Sequence, residues 1–434
     1  MNREILRIAL PAIVANITIP LLGLLDTAIA GHLGSATYLG AIAVASMIFN
    51  LVYWNFGFLR MSTSGLTAQA YGRGHYASCV AVLRQACVVA MVVALGLIVL
   101  QVPLLRLALW VIGPSPEVSQ LAAAYYRICI WGAPPVLVMM AAKGWLLGMQ
   151  DSRGAMMVSI VVNVLNIVAS LLAVYVLRQG FIGIATGTLV AEWLAVAYTA
   201  WVVVRRMRAA STALGEAAAG ATAMVSFRRF FTVSGDIFVR SFLLMLVNLA
   251  VTAIGARSGN LILAANSLIQ QLNTLFAYFL DGIAFAGEAL VGKYFGAGNG
   301  LRLRLCVRRL FVWACALTVA FTVLYAFPQL IFGVLTNDPA VIATAMDYRV
   351  WCALLPVAGM AAFVWDGVFI GLTRTRGMLV AVAVAGGVFA VLYALLPANL
   401  GNHRLWLAFV AYLAARGIVQ TLIYTRSRDN AMSQ

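Results

Sequence analysis

The amino-acid sequence predicts an all-α polytopic membrane protein, with twelve transmembrane helices in two six-helix lobes related by a parallel pseudo-twofold repeat around a central cleft. Three observations carry that prediction. The chain of 434 residues is 64% hydrophobic and only 10% charged, a balance that water-soluble chains of this length do not sustain. Its apolar residues gather into twelve runs, each near the roughly 20 residues that cross a bilayer. The two halves of the chain also resemble each other.

The runs fall at about 5–30, 40–66, 80–105, 121–147, 156–177, 181–204, 230–256, 261–291, 305–332, 341–371, 378–397 and 403–424. They are continuous and far too long for the alternating strands of a membrane barrel. A formal charge of +16 would suit a nucleic-acid binder if the bases formed one patch. Instead they follow the parity of the connections. With the N-terminus in the cytoplasm, the inner connections hold Arg3, Arg7, Arg73, Arg84, Arg153, Arg205, Arg206, Lys293, Arg302, Arg374 and Arg426 among others. The opposite loops hold Arg106, Arg178, Arg257 and Arg404 as their clear members. This bias predicts two cytoplasmic termini and an even number of spans. A cleavable signal peptide does not fit the first run, which is too long for a signal core and contains an acid. Six cysteines without CxxC spacing and three scattered histidines predict no metal site.

The longest charged connection, Arg205 to Arg229, divides the spans six and six. The expected organisation is an N-lobe at 1–204, a cytoplasmic linker at 205–229 and a C-lobe at 230–434. A shift of 220 aligns Trp131 and Trp145 with Trp351 and Trp365, and the MAA at 140 with that at 360. After a three-residue offset Gly148 meets Gly371, and a shift of 224 sets AYGRGH at 70–75 beside YFGAGN at 294–299. Six spans per half is an even number, so both copies enter the membrane in the same orientation.

Asp26 stands inside the first run, in LLGLLDTAIAGHLG. A carboxylate at bilayer depth costs a few kcal/mol at least and usually faces a cavity or a partner. No base occupies a neighbouring helical position. The spans add Glu192, Asp236, Asp281, Glu288 and Asp366, set against Arg60, Lys143 and Arg240. Asp236 and Arg240 lie four apart and are expected to pair. Asp281 and Glu288 share a helix stripe among glycines. Amides and hydroxyls join them at Asn16, Thr18, Asn163, Asn166, Ser170, Thr186 and Thr188.

The ordered segments LLDTAIAGHLGSATYLGAIA, LRMSTSGLTAQAYG, LGMQ, LNIVAS, GIATGTLVAE, GDIFVR, LDGIAFAGEALVG and WDGVFIG resemble the multidrug and toxic compound extrusion (MATE) family, and within it the DinF branch. The resemblance covers essentially all twelve spans. It implies two six-helix lobes and export of amphipathic, mostly cationic small organic compounds by antiport against protons or sodium. It further implies a monomer without cofactors in the cytoplasmic membrane of a bacterium. By the same resemblance Asp26 is the first-helix coupling acid, with Pro11 at the bend of that helix. Asn166 and Thr188 fall on the fifth-helix asparagine and sixth-helix threonine of that site. Asp366 falls on the acid of the tenth helix. Where relatives commonly carry an acid four residues after the asparagine, this chain has Ser170. A sodium site favours several anionic oxygens, so the substitution favours protons, with Glu192 as a compensating acid.

The expected function is therefore proton-driven multidrug efflux by alternating access. The cation-coupling set is Asp26, Asn163, Asn166, Ser170, Thr188 and Glu192. A second polar cluster in the C-lobe comprises Asp236, Arg240, Asp281, Glu288 and Asp366. Sodium coupling is one alternative. A flippase for lipid-linked substrates is another, for which Arg60, Lys143 and Arg240 would supply the basic groups. No P-loop motif is present, and the spans hold no nucleophile and base suited to catalysis, so neither an ATPase nor a membrane enzyme is expected.

Overall fold

Helices account for nearly the whole chain, and no strand occurs among the described residues. The structure is a computed structural model that describes residues 1–33, 35–214 and 227–432. Among these, eleven helical spans are long and apolar enough to cross a membrane. The first helix, α1 (Asn2–His32), is 31 residues long and adds a twelfth of crossing length.

Several expected spans are built from two pieces. The second comprises α2 (Ala36–Asn55) and α3 (Phe58–Gly72), broken at Phe56-Gly57. It is followed by α4 (Tyr76–Val99) and the short α5 (Gln101–Ile112), which ends at Gly113 in the left-handed conformation, φ 62°. The fourth span joins α6 (Pro116–Cys129) to α7 (Ala133–Gly148) through a single tight turn at Ile130–Gly132. Next come α8 (Ser152–Leu171), α9 (Phe181–Leu214), α10 (Phe227–Arg257), α11 (Asn260–Gly296) and α12 (Gly300–Ala326). The chain finishes with α13 (Gln329–Leu335), α14 (Pro339–Asp347), α15 (Arg349–Leu372), α16 (Thr375–Leu395) and α17 (His403–Met432). The expected linker is partly helical. Its first ten residues extend α9 and its last three open α10, while 215–226 lie outside the described residues.

Polar side chains start these helices where the first backbone N–H groups lack partners. Asp151 accepts from the Gly154 amide at 2.9 Å, Asn299 from Arg302 at 3.0 Å and Asp338 from Ala340 at 2.9 Å. Large apolar side chains such as Val92, Val176, Val319 and Val323 are exposed along the spans, as lipid-facing positions require.

The chain divides into two compact units, Val14–Ser234 and Met1–Ile13 with Gly235–Gln434. Residues 1–13, read from the sequence with the first lobe, pack with the second half for identifiable reasons. At Gly282 of α11 a Cβ would come within 2.9 Å of the Ala9 carbonyl oxygen. The Tyr294 hydroxyl donates to the Glu4 carboxylate at 3.1 Å.

Within each unit the same contact recurs. In the first, α7 lies against α3 through Gly148, where a Cβ would sit 2.7 Å from the Ser64 carbonyl oxygen and 3.0 Å from the Ala68 amide nitrogen. In the second, α15 lies against α11 through Gly371, where a Cβ would sit 3.0 Å from the Glu288 carbonyl oxygen and 2.9 Å from the Gly292 amide nitrogen. Only small residues permit such backbone approach between membrane helices.

The turns repeat as well. Gly74 (φ 76°) and Gly298 (φ 66°) end α3 and α11 in the left-handed region. The following amides, His75 and Asn299, reach back to the Ala70 and Tyr294 carbonyls at 3.1 and 3.0 Å. Gln150 and Thr373 take left-handed conformations just after α7 and α15.

Candidate functional site

In the first unit, α8 and α9 are held together by the GIATG segment at 183–187. A Cβ at Gly183 would sit 2.9 Å from the Ala173 carbonyl carbon, and one at Gly187 would overlap the Ser170 backbone. This close approach sets Asn166 opposite Thr188, and the Asn166 amide donates to the Thr188 Oγ1 at 3.0 Å. Thr188 donates in turn to the Ile184 carbonyl at 2.9 Å. Asn163 donates to the Thr18 carbonyl at 3.0 Å, tying α8 to α1.

Asp26 belongs to this neighbourhood. It is 9% exposed and its Oδ1 has no hydrogen-bond partner. Ile29 and Ala30, one turn further along α1, pack with Tyr125 and Cys129 of α6 and with Ile184 and Ala185 of α9 in one apolar cluster. Tyr125 bridges the two polar halves, interacting with Thr188 on one side and with Asp26 on the other.

Glu192 lies one turn beyond Thr188 on α9 and meets the turn between α6 and α7 at Gly132. A Cβ there would occupy the space of the Glu192 Oε2 oxygen. Glu192 is near enough to Asp26 for the two carboxylates to repel. Tyr53 of α2 and Cys129 of α6 are its other titratable neighbours. Asp26 Oδ1, Asn166 Oδ1, Ser170 Oγ, Glu192 Oε2 and the Tyr53 hydroxyl are buried without a hydrogen-bond partner. Of the six expected coupling residues, Asn166 and Thr188 touch directly, Asn163 ties α8 to α1, the Ser170 backbone packs on Gly187, and Asp26 and Glu192 interact electrostatically. Sequence reading missed Tyr53, Tyr125, Cys129 and Gly132. Only the intramembrane tyrosines, whose hydroxyls need partners, offered a signal.

The second unit places its charges differently from the expectation. Arg240 does not pair with Asp236. It crosses to Asp366 of α15, and Arg416 of α17 reaches the same Oδ2 at 2.6 Å. Gln420 donates to Asp366 Oδ1 at 2.7 Å. Asp236 instead accepts from the Thr375 hydroxyl at 2.7 Å. The geometry is decisive. Arg240 and Asp366 are both buried, and a buried charge needs its counter-ion more than an accessible one does, so Asp366 outcompetes the half-buried Asp236. Arg416 and Gln420, in an otherwise apolar last span, were not among the expected polar residues, although a charge at that depth is itself a signal. Glu288 is buried where α11 meets α15, and Asp281 is half-buried on the same helix. An apolar groove of about 470 Å³ between α15 and α17 contains none of these charges. Among the described residues no group of three or more His, Cys, Asp or Glu side chains is arranged to hold a metal ion.

Known proteins share both the sequence and the architecture. DNA damage-inducible protein F of Escherichia coli is 37% identical over 99% of this chain and 93% of its own length. The probable multidrug resistance protein NorM of Deinococcus radiodurans is 29% identical over 96% of this chain and 93% of its own. Among solved structures, the bent form of the Vibrio cholerae MATE transporter VcmN superimposes with a TM-score of 0.84 at 16% identity, covering 98% of this chain and 96% of that one. A MOP superfamily transporter from Pyrococcus furiosus gives 0.80 at 18% identity, covering 100% and 97%. These two structures agree with the two-lobe fold. The MatE family model matches twice, at residues 11–172 and 237–396, once per half of the internal repeat. The chain accordingly belongs to the MatE family: it is a multidrug and toxic compound efflux transporter of the membrane, not an enzyme.

Proposed function

We propose that this transporter exports amphipathic, mostly cationic organic compounds in exchange for protons by alternating access, with Asp26 as the coupling acid. One observation carries the reading. Asp26 is a buried carboxylate whose Oδ1 lacks a partner, near Tyr125, which also reaches Thr188, and near a second acid, Glu192. A carboxylate at membrane depth persists where its titration is used. Protonation removes the charge, and hydrogen bonds from neighbouring hydroxyls and amides then orient the neutral acid. A group that prefers different partners when charged and when neutral biases a two-state element. The inward proton gradient supplies the work. The basic connections support cytoplasmic termini and the bacterial relatives support a cytoplasmic membrane.

The orphaned oxygens favour sodium as a second reading, since a cation of that kind takes several oxygen ligands. The flippase reading loses Arg240, which is bound to Asp366. A pH jump across proteoliposomes bathed in ethidium, with and without sodium, separates proton from sodium coupling. Uptake driven by pH alone supports protons. Uptake that needs a sodium gradient and ignores pH supports sodium.

A further inference from the structure

The carboxyl of Glu192 has a seat that no other residue of the cluster shares. The α6–α7 turn carries glycine at 132, and the Glu192 Oε2 fills the volume that a Cβ would take. That oxygen is sealed from solvent and accepts no hydrogen bond. Among the described residues, the titratable groups that interact with it are acidic or neutral: Asp26 from α1, Tyr53 from α2 and Cys129 from α6. A second carboxylate beside Asp26 without a cation is unfavourable twice over, through desolvation and through like-charge repulsion. Two acids so placed do not both stay ionised unless a cation joins them. Meanwhile Ser170, one turn from Asn166, offers a hydroxyl and no titratable group.

We infer that Glu192 is the second proton carrier of the transport cycle, seated by Gly132 and coupled to Asp26, so that two protons enter for each substrate exported. The inference rests on the proton-coupled reading given above. On the outward-facing side each carboxylate binds one proton to become a carboxylic acid. On the inward-facing side each releases that proton, and no other bond forms or breaks. Gly132 acts as a positioning residue, because any side chain there pushes the Glu192 carboxyl out of its seat.

Two measurements on the reconstituted full-length protein test this. The first is pH-difference infrared spectroscopy, which detects the C=O stretch of each proton-bearing carboxyl. Wild type should show two components, of which D26N removes one and E192Q the other. The second is the ethidium gradient sustained by a fixed pH step with the membrane potential clamped at zero. A step of about half a unit holds about a tenfold gradient with two protons and about threefold with one. E192Q should fall from the first value to the second. G132A should do the same in the wild-type background and nothing further in the E192Q background, because its effect passes through Glu192. Since the added Cβ meets only the end of a flexible side chain, G132A should fold.

An unchanged spectrum and an unchanged gradient in E192Q, with D26N losing its component, would overturn the role of Glu192 and leave Asp26 standing. Loss of a component in E192Q but not in D26N would keep Glu192 and overturn Asp26. A G132A effect that persists in the E192Q background would overturn the positioning role.

Discussion

Replacing Asp366 by asparagine should unfold the second unit at a markedly lower temperature. Arg240 and Arg416 are each 4% exposed, and both guanidinium groups converge on one carboxylate oxygen. Asparagine keeps the size and shape of the side chain but removes the negative charge that two buried positive ones share. Removing one partner of a buried ion pair costs about 3–5 kcal/mol, and here two cations lose their counter-ion at once. The effect should appear as a fall of several degrees in the melting temperature of purified protein in detergent. Arg416→Met leaves Asp366 with Arg240 and with Gln420 at 2.7 Å, so its cost should be smaller, about 1–3 kcal/mol. The double variant should be less damaging than the sum, since the second change relieves the imbalance left by the first. A D366N protein that melts within about a degree of wild type would refute the reasoning. A D366N protein of unchanged stability but altered pH dependence of transport would make Asp366 a titrating site and not a structural anchor.

Three further outcomes follow from the geometry. Gly367→Ala and Gly144→Ala should each lower folded yield in membranes, because the new Cβ overlaps the Ala284 or the Arg60 carbonyl oxygen and overpacking costs about 1–3 kcal/mol; equal yields of both variants and wild type would contradict the shared close approach. Thr188→Val removes the acceptor of the Asn166 amide, which is 3.0 Å away, and should cost about 1–3 kcal/mol of stability while slowing ethidium transport, measured by thermal melting and by proteoliposome uptake. Ser170→Asp adds an anionic oxygen one helical turn from the orphaned Asn166 Oδ1 and should let a sodium gradient drive uptake at constant pH; no sodium response would contradict the assignment of proton preference to the missing acid.

Hydropathy alone made the all-helical membrane class legible, because spans must satisfy their own backbone and so announce themselves as long apolar runs. The repeat was readable down to single residues. Gly148 and Gly371 occupy the same backbone crevice in the two units, and Gly74 and Gly298 make the same turn. Asp26 was legible because an acid in an apolar run demands a reason. The Asn166–Thr188 pair needed the family resemblance, since contact between α8 and α9 depends on glycines whose partner no spacing rule identifies.

Other features were hidden for physical reasons. The Asp236–Arg240 spacing suggested a local pair, yet helix neighbours gain only about half a kcal/mol, whereas the buried Asp366 across the unit offers a fully desolvated counter-ion. Arg416 obeys the same rule as Asp26, a charge in an otherwise apolar span that demands a partner. Gly132 was invisible because a missing side chain reports nothing until its neighbour is known. The allegiance of residues 1–13 lies in Gly282 and Tyr294, nearly three hundred residues away along the chain.

The most direct test of the central claim is a pH-jump assay on proteoliposomes, comparing wild type with Asp26→Asn, with ethidium as the substrate and a parallel measurement of ethidium binding. The account predicts proton-driven uptake in wild type without sodium, and its loss in Asp26→Asn while binding persists. Uptake by the variant at the wild-type rate and with the wild-type pH dependence would contradict it and make Asp26 a structural residue.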